Sequence, residues 1–360
     1  MASNEKDNIL VKNIFVKNIY YMLSYAFKAL RQDKFEKVGA ESFDNAENLF
    51  AAILSNGIGQ QLKQGLYREY IGREDDLPVL RGKLNMSGTI QNEIAHRRRL
   101  SCQYDELSEN NLLNRILKTT ALLLVASNRV NAQYRAALKK ELLFFSCIDT
   151  VEPKAIRWSS LTFHRNNQTY QLLMGICRFV LDGMLITEED GTRKLAAFVD
   201  SQEMYHLYEK FLLEYFRQEH SELTVSAPQI EWQVDDGNRK ELPTMQSDIV
   251  LENKKRDTVL IIDAKYYQHN MQTHFDRQTV CSANIYQIFT YVKNKEYELA
   301  NSGTKHKVSG MLLYAKTKDE MQPDGKYLMS GNKITVRTLD LYQSFAEIRK
   351  ELDGIVEEHF

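Results

Sequence analysis

Two aspartates and a lysine flank a short, strongly apolar stretch of this chain. Asp248 precedes Ile249-Val250-Leu251, and Asp263-Ala264-Lys265 follows the apolar residues 258–262. Two carboxylates that lie close together repel each other strongly unless a cation lies between them. Mg²⁺ prefers oxygen ligands, lowers the pKa of a bound water and offsets charge on a phosphate. The pattern therefore predicts metal-dependent phosphodiester hydrolysis, with Lys265 as a point charge beside the water or the phosphate.

This chemistry requires a particular register of the hairpin that the two apolar runs predict. Both runs are rich in β-branched residues, and a polar, turn-like segment separates them. A turn centred between Lys255 and Arg256 places Asp248 opposite Asp263, on the same face and with Cβ atoms about 5 Å apart. Lys265 lies two residues further along and projects to that face as well. A one-residue slip or a bulge would separate the three side chains.

An acid followed two residues later by a lysine is common by chance. The chain has further examples that begin at Glu152, Glu252 and Asp324. The first and last of these do not follow an apolar strand, and the middle one lies in the predicted hairpin turn. None has a matching acid one hairpin earlier. We therefore favour a functional interpretation of Asp263 and Lys265 over a solvated strand end.

The spacing of these residues resembles the motif of the PD-(D/E)xK nuclease superfamily. Asp248 corresponds to the first acid, and Asp263-Ala264-Lys265 corresponds to the second part of the motif. The proline that names the motif is displaced here, because Pro243 lies five residues before Asp248. The resemblance implies that Asp248 and Asp263 bind Mg²⁺ and that Lys265 assists the reaction.

Two helices carry further residues that the resemblance singles out. Gln287 and Tyr291 match the Gln-x-x-x-Tyr pattern of the RecB-like branch, and residues four apart share a helix face. Gln287 is expected to help position the site, although alone it would be interpreted as a surface amide. Many members of the superfamily place a metal-facing glutamate on the first core helix. Glu209 is the candidate here and Glu214 the alternative; the competing interpretation is a solvent-facing glutamate.

The resemblance is closer still to one family, McrC, the nuclease subunit of the McrBC modification-dependent restriction systems. It rests on residues 11–13, 16–26, 80–83, 114–118 and 261–267, in the expected order along the chain. It implies a partner, the AAA+ GTPase McrB, whose GTP hydrolysis McrC stimulates, and a substrate, double-stranded DNA carrying modified cytosine. The chain itself has no Gly-x-x-x-x-Gly-Lys-Ser/Thr loop, so we expect no nucleotide hydrolysis from it alone.

Length and composition are those of a globular protein. The 360 residues leave room for two domains, and 43% hydrophobic with 26% charged residues is ordinary. No apolar run approaches the ~20 residues of a membrane helix. The first residues lack a secretory pattern, so we expect a cytoplasmic location. The net charge of −1 favours neither presence nor absence of DNA binding.

The cysteines and histidines show no spacing typical of a metal site. Cys102, Cys147, Cys177 and Cys281 are far apart, which argues against a zinc site and against a disulfide framework. The eight histidines have no ligand spacing either. We expect these residues to be structural or exposed.

The first half of the chain is predicted to be mostly helical. Apolar periodicity indicates helices at 18–30, 43–62, 112–125, 134–145 and 170–185. Residues 75–104 differ, with short apolar segments, a proline and two glycines, and predict a small β-rich insertion. This insertion contains His96-Arg97-Arg98-Arg99, for which a solvated charged face and a contact with DNA or the motor are equally favoured. We therefore predict a partner-binding domain at residues 1–190.

The second half predicts a nuclease domain at residues 191–360. A helix is expected at 200–218, then the hairpin, the Gln287 helix, strands at 307–315 (apolar at 310–314) and 334–339 and a last helix at 341–360. The predicted fold class is therefore α/β: a mainly helical N-terminal domain followed by a restriction-endonuclease-like domain with a mixed central sheet. The alternative function is a mainly regulatory or non-catalytic activator of the GTPase, because 190 residues are many for an appendage.

Overall fold

The computed structural model describes residues 2–31, 35, 38, 41–163, 168–189, 202–255, 257–274, 277–301 and 306–360. The chain forms two compact units. The sheet unit comprises Met1–Ala46 and Asp182–Phe360, and the inserted unit comprises Glu47–Leu181.

Helices and strands are numbered here in chain order. The helices are α1 Ala2–Ala26, α2 Ala46–Gln64, α3 Met86–Ile94, α4 Leu112–Ala126, α5 Ala132–Leu142, α6 Gln168–Glu189, α7 Gln202–Glu219, α8 Ser282–Ala300 and α9 Phe345–His359. The strands are β1 Glu69–Leu77, β2 Lys83–Leu84, β3 Leu100–Ser108, β4 Thr224–Ser226, β5 Gln229–Ile230, β6 Met245–Gln246, β7 Ile249–Glu252, β8 Thr258–Lys265, β9 Met271–His274, β10 Arg277–Val280, β11 Lys307–Ala315, β12 Gly325–Met329 and β13 Asn332–Leu339.

A mixed six-stranded sheet lies at the centre of the sheet unit, in the order β12-β13-β11-β8-β7-β4. Strands β8, β11 and β13 are parallel, whereas β4, β7 and β12 pair antiparallel with their neighbours. All residues of β8 except Thr258 are buried, as is typical of a strand covered on both faces. The predicted α/β class with a mixed central sheet is therefore confirmed.

The hairpin of β7 and β8 has the register that the apolar runs predicted. Ile249 pairs with Ile262, and Val250 pairs with Ile261. Asp248 directly precedes β7, so continuing this register places it beside Asp263 at the end of the hairpin.

Helix α8 packs closely on the sheet because of a glycine. A Cβ on Gly310 of β11 would lie 2.8 Å from side-chain atoms of Ile288 and Val292. Contacts that short do not occur between real side chains, so glycine at this position lets α8 lie against β11. The approach brings the α8 residues at this face toward β8.

Helix α1 belongs to the sheet unit, in contrast to the predicted division at residue 190. The Asn18 amide is buried and donates to the backbone oxygens of Leu341 and Gln343, both at 2.8 Å. The Phe15 ring stacks on Tyr342, with centroids 4.6 Å apart. Residues 1–46 therefore group with the second half of the chain, and the boundary predicted near 187–200 falls mainly on residues outside those described.

The last helix begins later than predicted. The sequence pattern placed its start at 341, but α9 begins at Phe345. Ser344 caps the helix by accepting a hydrogen bond from the Glu347 backbone, while the Glu347 carboxylate accepts one from the Ser344 backbone. This capping box satisfies two backbone N–H groups that the helix would otherwise leave unpaired, so it determines the first turn.

The inserted unit contains the predicted β-rich segment, with wider bounds and a helix inside it. Strands β1, β3 and β2 form a three-stranded antiparallel sheet, and α3 connects β2 to β3. Gly82 precedes β2 with φ of 68°, and a Cβ there would collide with the Gln103 backbone oxygen. Only glycine adopts this conformation without strain at such close approach.

Helix α3 exposes its apolar residues. Met86, Ile90 and Ile94 follow one another at four-residue spacing and are 61%, 49% and 75% exposed. The buried residue of this helix is instead an amide, Asn92. An amphipathic helix normally turns its apolar stripe toward a core. We call Met86, Ile90 and Ile94 the α3 stripe.

Within the part of the chain that the structure describes, no helix is both long and apolar enough to span a lipid bilayer.

Candidate active site

The β7–β8 hairpin brings the two predicted aspartates and the lysine together. Asp248 Oδ2 accepts a hydrogen bond of 2.8 Å from the Ala264 backbone N–H. This bond joins the residue before β7 to the residue between Asp263 and Lys265, and so ties the first acid of the motif to the second. Backbone geometry thus holds the carboxylate of Asp248 at the end of β8.

Asp263 and Lys265 form a buried ion pair. The Lys265 Nζ lies 2.5 Å from Asp263 Oδ2, and the two residues are 4% and 1% exposed. Burial lowers the pKa of Lys265, but the attraction of Asp263 outweighs this effect and the net pKa is raised. The lysine is therefore an ammonium at neutral pH.

If both aspartates were ionised, they would carry more negative charge than one lysine offsets. Burial, the Asp263 carboxylate and Glu209 raise the pKa of Asp248 to about 8. Burial also raises the pKa of Asp263 despite the neighbouring Lys265. No donor among the described residues makes a hydrogen bond to the buried Oδ1 of Asp263. This electrostatic deficit is what a bound cation would relieve.

Helix α8 connects the lysine to the strand that precedes the first acid. Lys265 donates to Gln287 Oε1 at 3.1 Å, and Gln287 donates to the Tyr291 hydroxyl at 2.9 Å. Tyr291 in turn donates to the backbone oxygen of Gln246 at 3.0 Å. This chain of hydrogen bonds fixes the rotamer of Lys265 and holds Gln246, two residues before Asp248. Gln287 therefore lies beside Lys265, and its role in positioning the site stays a prediction.

Of the two helix glutamates, Glu209 lies toward the site and Glu214 does not approach it. The charge of Glu209 raises the pKa of both Asp248 and Asp263. Glu214 instead accepts hydrogen bonds from Arg217 and from Gln218 on its own helix.

A ready-made metal cage is absent from the described residues, where no group of three or more His, Cys, Asp or Glu side chains is placed to hold a metal. Mg²⁺ does not require one, because it usually binds one or two protein carboxylates and keeps several waters. The pair Asp248 and Asp263 fits this ion, and Glu209 contributes charge nearby.

Comparison with known proteins identifies the family. A family model described as McrBC 5-methylcytosine restriction system component matches residues 3–315. The chain belongs to this family. A curated relative from Escherichia coli (strain K12), the type IV methyl-directed restriction enzyme EcoKMcrBC, is 26% identical over 348 residues, which are 96% of this chain and 97% of the relative.

Solved structures of Thermococcus gammatolerans proteins are similar to this McrBC-family chain over much of its length. A half-complex from a tetradecameric assembly of McrB AAA+ hexamers with bound McrC matches with a TM-score of 0.47 and 18% identity, covering 94% of this chain and 76% of the other. A cryo-EM structure of the McrBC complex matches with a TM-score of 0.42 and 20% identity, covering 57% and 61%.

The sequence analysis of this McrBC-family chain missed Tyr205 as a site residue. Its hydroxyl hydrogen-bonds to Glu209, and Asp248 and Asp263 are near enough to raise its pKa, after the larger effect of burial. Tyr205 and Glu209 are four residues apart on α7, so they share a helix face. That spacing alone could have indicated the pair, once Glu209 was assigned to the site.

The arginine run of the inserted unit is exposed. His96, Arg97, Arg98 and Arg99 all lie on the surface, and Arg99 donates to the backbone oxygen of Asp76 at 3.0 Å. Exposure agrees with a solvated charged face and with a contact surface, so the two interpretations of this run both stand.

Proposed function

We propose that this chain is the Mg²⁺-dependent endonuclease subunit of a methyl-directed restriction complex and hydrolyses double-stranded DNA near modified cytosine. The observation that carries the proposal is the arrangement of the half-buried Asp248 beside the buried Asp263 and Lys265 at the end of β8. Membership of the McrBC family supports the restriction role. The mixed sheet with its acid-bearing hairpin supports a PD-(D/E)xK nuclease core.

Each residue of the site would have a separate role in hydrolysis. Asp248 and Asp263 would hold Mg²⁺, and Glu209 would contribute through a metal-bound water. When bound, the metal supplies an activated water and offsets charge on the scissile phosphate. The Lys265 ammonium stabilises the negative charge that builds on the phosphate or holds the attacking water. Gln287 keeps that ammonium in place through its hydrogen bond. Water attacks phosphorus directly, so no covalent enzyme intermediate forms.

The test uses the full chain reconstituted with its AAA+ partner and modified DNA. We expect Asp263→Ala and Lys265→Ala to abolish Mg²⁺-dependent cleavage while stimulation of GTP hydrolysis persists. Asp324→Ala and Lys326→Ala are matched controls, because they alter an exposed acid-x-Lys triplet of the same unit and should leave cleavage unchanged. Unchanged cutting in both site variants would refute the assignment.

The second proposed role is activation of an AAA+ GTPase through the inserted unit. The α3 stripe supports it, because an exposed patch of three large apolar side chains on one helix face is typical of a protein contact site. The chain has no phosphate-binding loop of its own. We therefore expect GTP hydrolysis to come from a separate partner protein that has an apolar groove for the α3 stripe.

Deleting residues 1–190 cannot test this role cleanly, because residues 1–46 pack within the sheet unit. The double substitution Ile90→Ser with Ile94→Ser is the sharper experiment. We expect it to reduce stimulation of GTP hydrolysis and complex formation without loss of folding. Leu122→Ser, at a 41% exposed position on α4 of the same unit, is the control. Stimulation that matches the control would place the partner contact elsewhere.

A further inference from the structure

One face of α8 carries three polar residues, and only two of them have a role so far. Asn284, Gln287 and Tyr291 follow at spacings of three and four, so they lie on one helical face. Gln287 holds Lys265, and Tyr291 holds the backbone before Asp248. Asn284 is 5% exposed and lies one turn closer to the start of the helix.

The Asn284 amide joins two tyrosines beside the lysine. Its Nδ2 donates to the Tyr314 hydroxyl at 2.8 Å. Tyr314 is fully buried on β11 and pairs with Lys265 in the parallel register of β8 and β11. The Asn284 Oδ1 faces the Tyr267 hydroxyl at 3.4 Å. The donor side of the amide is thus committed to a buried group, and its acceptor side is directed at Tyr267.

Tyr267 lies at the open edge of this network. It follows Lys265 by two residues and is 41% exposed. Its ring packs at a tilt against Tyr314, with centroids 6.3 Å apart. The phenol is close enough to Lys265 to affect the pKa of the ammonium. A contact of 3.4 Å is long for a hydroxyl hydrogen bond, so the Tyr267 hydroxyl gives up little when it turns to another acceptor.

A neutral donor suits this position. Asp248, Asp263 and Glu209 make the site acidic, and a DNA phosphate that enters it meets repulsion until cations and donors compensate. A tyrosine hydroxyl donates to phosphate oxygen without itself needing a counter-charge in this crowded site. Contacts of this kind fix the position of the nucleic acid backbone and carry no sequence information.

We propose that Tyr267 donates a hydrogen bond to a non-bridging phosphate oxygen of the cleaved DNA strand, and that Asn284 is the positioning residue that orients the Tyr267 hydroxyl beside Lys265 before DNA binds. This inference rests on the proposed nuclease function and adds a substrate contact to it. The ring of Tyr267 packs on Tyr314, so a substitution that keeps the ring and removes only the hydroxyl distinguishes a substrate contact from a structural role.

The first test is Tyr267→Phe in the reconstituted complex, assayed by single-turnover cleavage of modified DNA. We expect a rate roughly tenfold lower, as for the loss of one hydrogen bond to a charged group, with an unchanged melting temperature and unchanged Mg²⁺ dependence. Tyr286→Phe is the matched control, because Tyr286 is a 68% exposed tyrosine on α8, the helix that carries Asn284. A Tyr267→Phe rate equal to that of Tyr286→Phe would overturn the contact.

The second test addresses Asn284. If it acts through Tyr267, Asn284→Ala slows cleavage in the unsubstituted chain but changes the rate less than twofold in the Tyr267→Phe background. Equal slowing in both backgrounds would show that Asn284 does not act by positioning Tyr267. A loss of folding caused by Asn284→Ala would slow cleavage in both backgrounds, so the comparison separates it from a positioning effect.

Crosslinking tests the contact between position 267 and DNA without any cleavage. A photoreactive p-benzoylphenylalanine at position 267, in the Asp263→Ala complex with EDTA, should crosslink to DNA, whereas the same group at position 286 should not. Equal crosslinking from the two positions would count against the inference. Cleavage by Asp263→Ala itself would instead refute the proposed function, so the two failures are distinguishable.

Discussion

Strands β1 and β8 both carry acidic residues, yet they place them in opposite surroundings. On β1, Glu74 and Asp75 are exposed and bond to neighbouring polar side chains, Asn85 and Tyr104. On β8, Asp263 is 1% exposed and faces Lys265. The burial and the neighbours of a strand acid therefore decide its chemistry, because water solvates the exposed acids of β1 and cannot reach Asp263 on β8.

The largest expected effect is on activity and compares the site at the end of β8 with strand β1. Asp248→Asn keeps an oxygen that can accept the Ala264 N–H but removes the charge, so Mg²⁺-dependent cleavage should fall by at least roughly 100-fold. Glu69→Gln on β1 removes an exposed charge and should change the rate less than twofold. Cleavage of modified DNA by the reconstituted complex measures both. Similar losses of cleavage from the two substitutions would show that the acid at the site contributes no more to activity than an exposed acid on β1.

The next effect concerns stability without metal. Lys265→Met leaves Asp263 buried without its partner and should lower the free energy of unfolding by about 3 kcal/mol. Arg73→Met on β1 breaks an ion pair to Glu106 whose side chains are 47% and 40% exposed, and should cost less than about 1 kcal/mol.

Urea unfolding in EDTA distinguishes the two units by fluorescence. The chain has two tryptophans, so Trp158→Phe leaves Trp232 to report on the sheet unit, and Trp232→Phe leaves Trp158 to report on the inserted unit. Equal costs for Lys265→Met and Arg73→Met would mean that the β8 ion pair is as well solvated as the one on β1.

A smaller effect is the dependence of stability on pH in the absence of metal. The folded pKa of Asp248, about 8, lies above its unfolded value near 4, so between these pH values only the folded state binds the proton. Stability should therefore fall as pH rises from about 4 to about 8, by up to about 1.4 kcal/mol per pH unit. Urea unfolding of the Trp158→Phe chain in EDTA measures this slope. Asp248→Asn should flatten it, whereas Asp324→Asn should not; a slope that survives Asp248→Asn belongs to another group.

The smallest expected effect lies in the inserted unit. Ile94→Ala removes a side chain that is 75% exposed and should change the free energy of unfolding by no more than about 0.5 kcal/mol. Leu117→Ala, at a fully buried position of the same unit, should cost about 2–5 kcal/mol and shows that the assay responds. Trp158 fluorescence in the Trp232→Phe chain measures both. A large loss from Ile94→Ala would show that the α3 stripe contributes to folding after all.

Much of the sheet around the site could be predicted because its determinants are local. The runs at β7 and β8 are apolar and separated by one short polar turn, which leaves a single register that buries both strands. The 3.6-residue periodicity of α8 likewise predicted that Gln287 and Tyr291 share a face. Short or polar strands such as β4 and β12 escaped prediction, because few of their residues are buried and no apolar alternation marks them.

Other features depend on long-range contacts that no local pattern records. Asn18 bonds to the backbone of Leu341 and Gln343, far along the chain, and nothing around Asn18 identifies that partner. The α3 stripe has the spacing of a core helix, and only the structure reveals that it is exposed. Tyr205 contacts the site through its hydrogen bond to Glu209, and no sequence motif marks it.

The order of the two units along the chain has a consequence for biosynthesis. The inserted unit is complete once Leu181 has been made, whereas the sheet unit needs both α1 and the residues up to Phe360. At roughly 5–20 residues per second, translation of the remainder takes on the order of 10–40 s. During that interval a ribosome-bound chain can fold its inserted unit while β8, β11 and β13 are still unmade. The candidate active site therefore assembles after the inserted unit, and a translation product truncated before β8 lacks it.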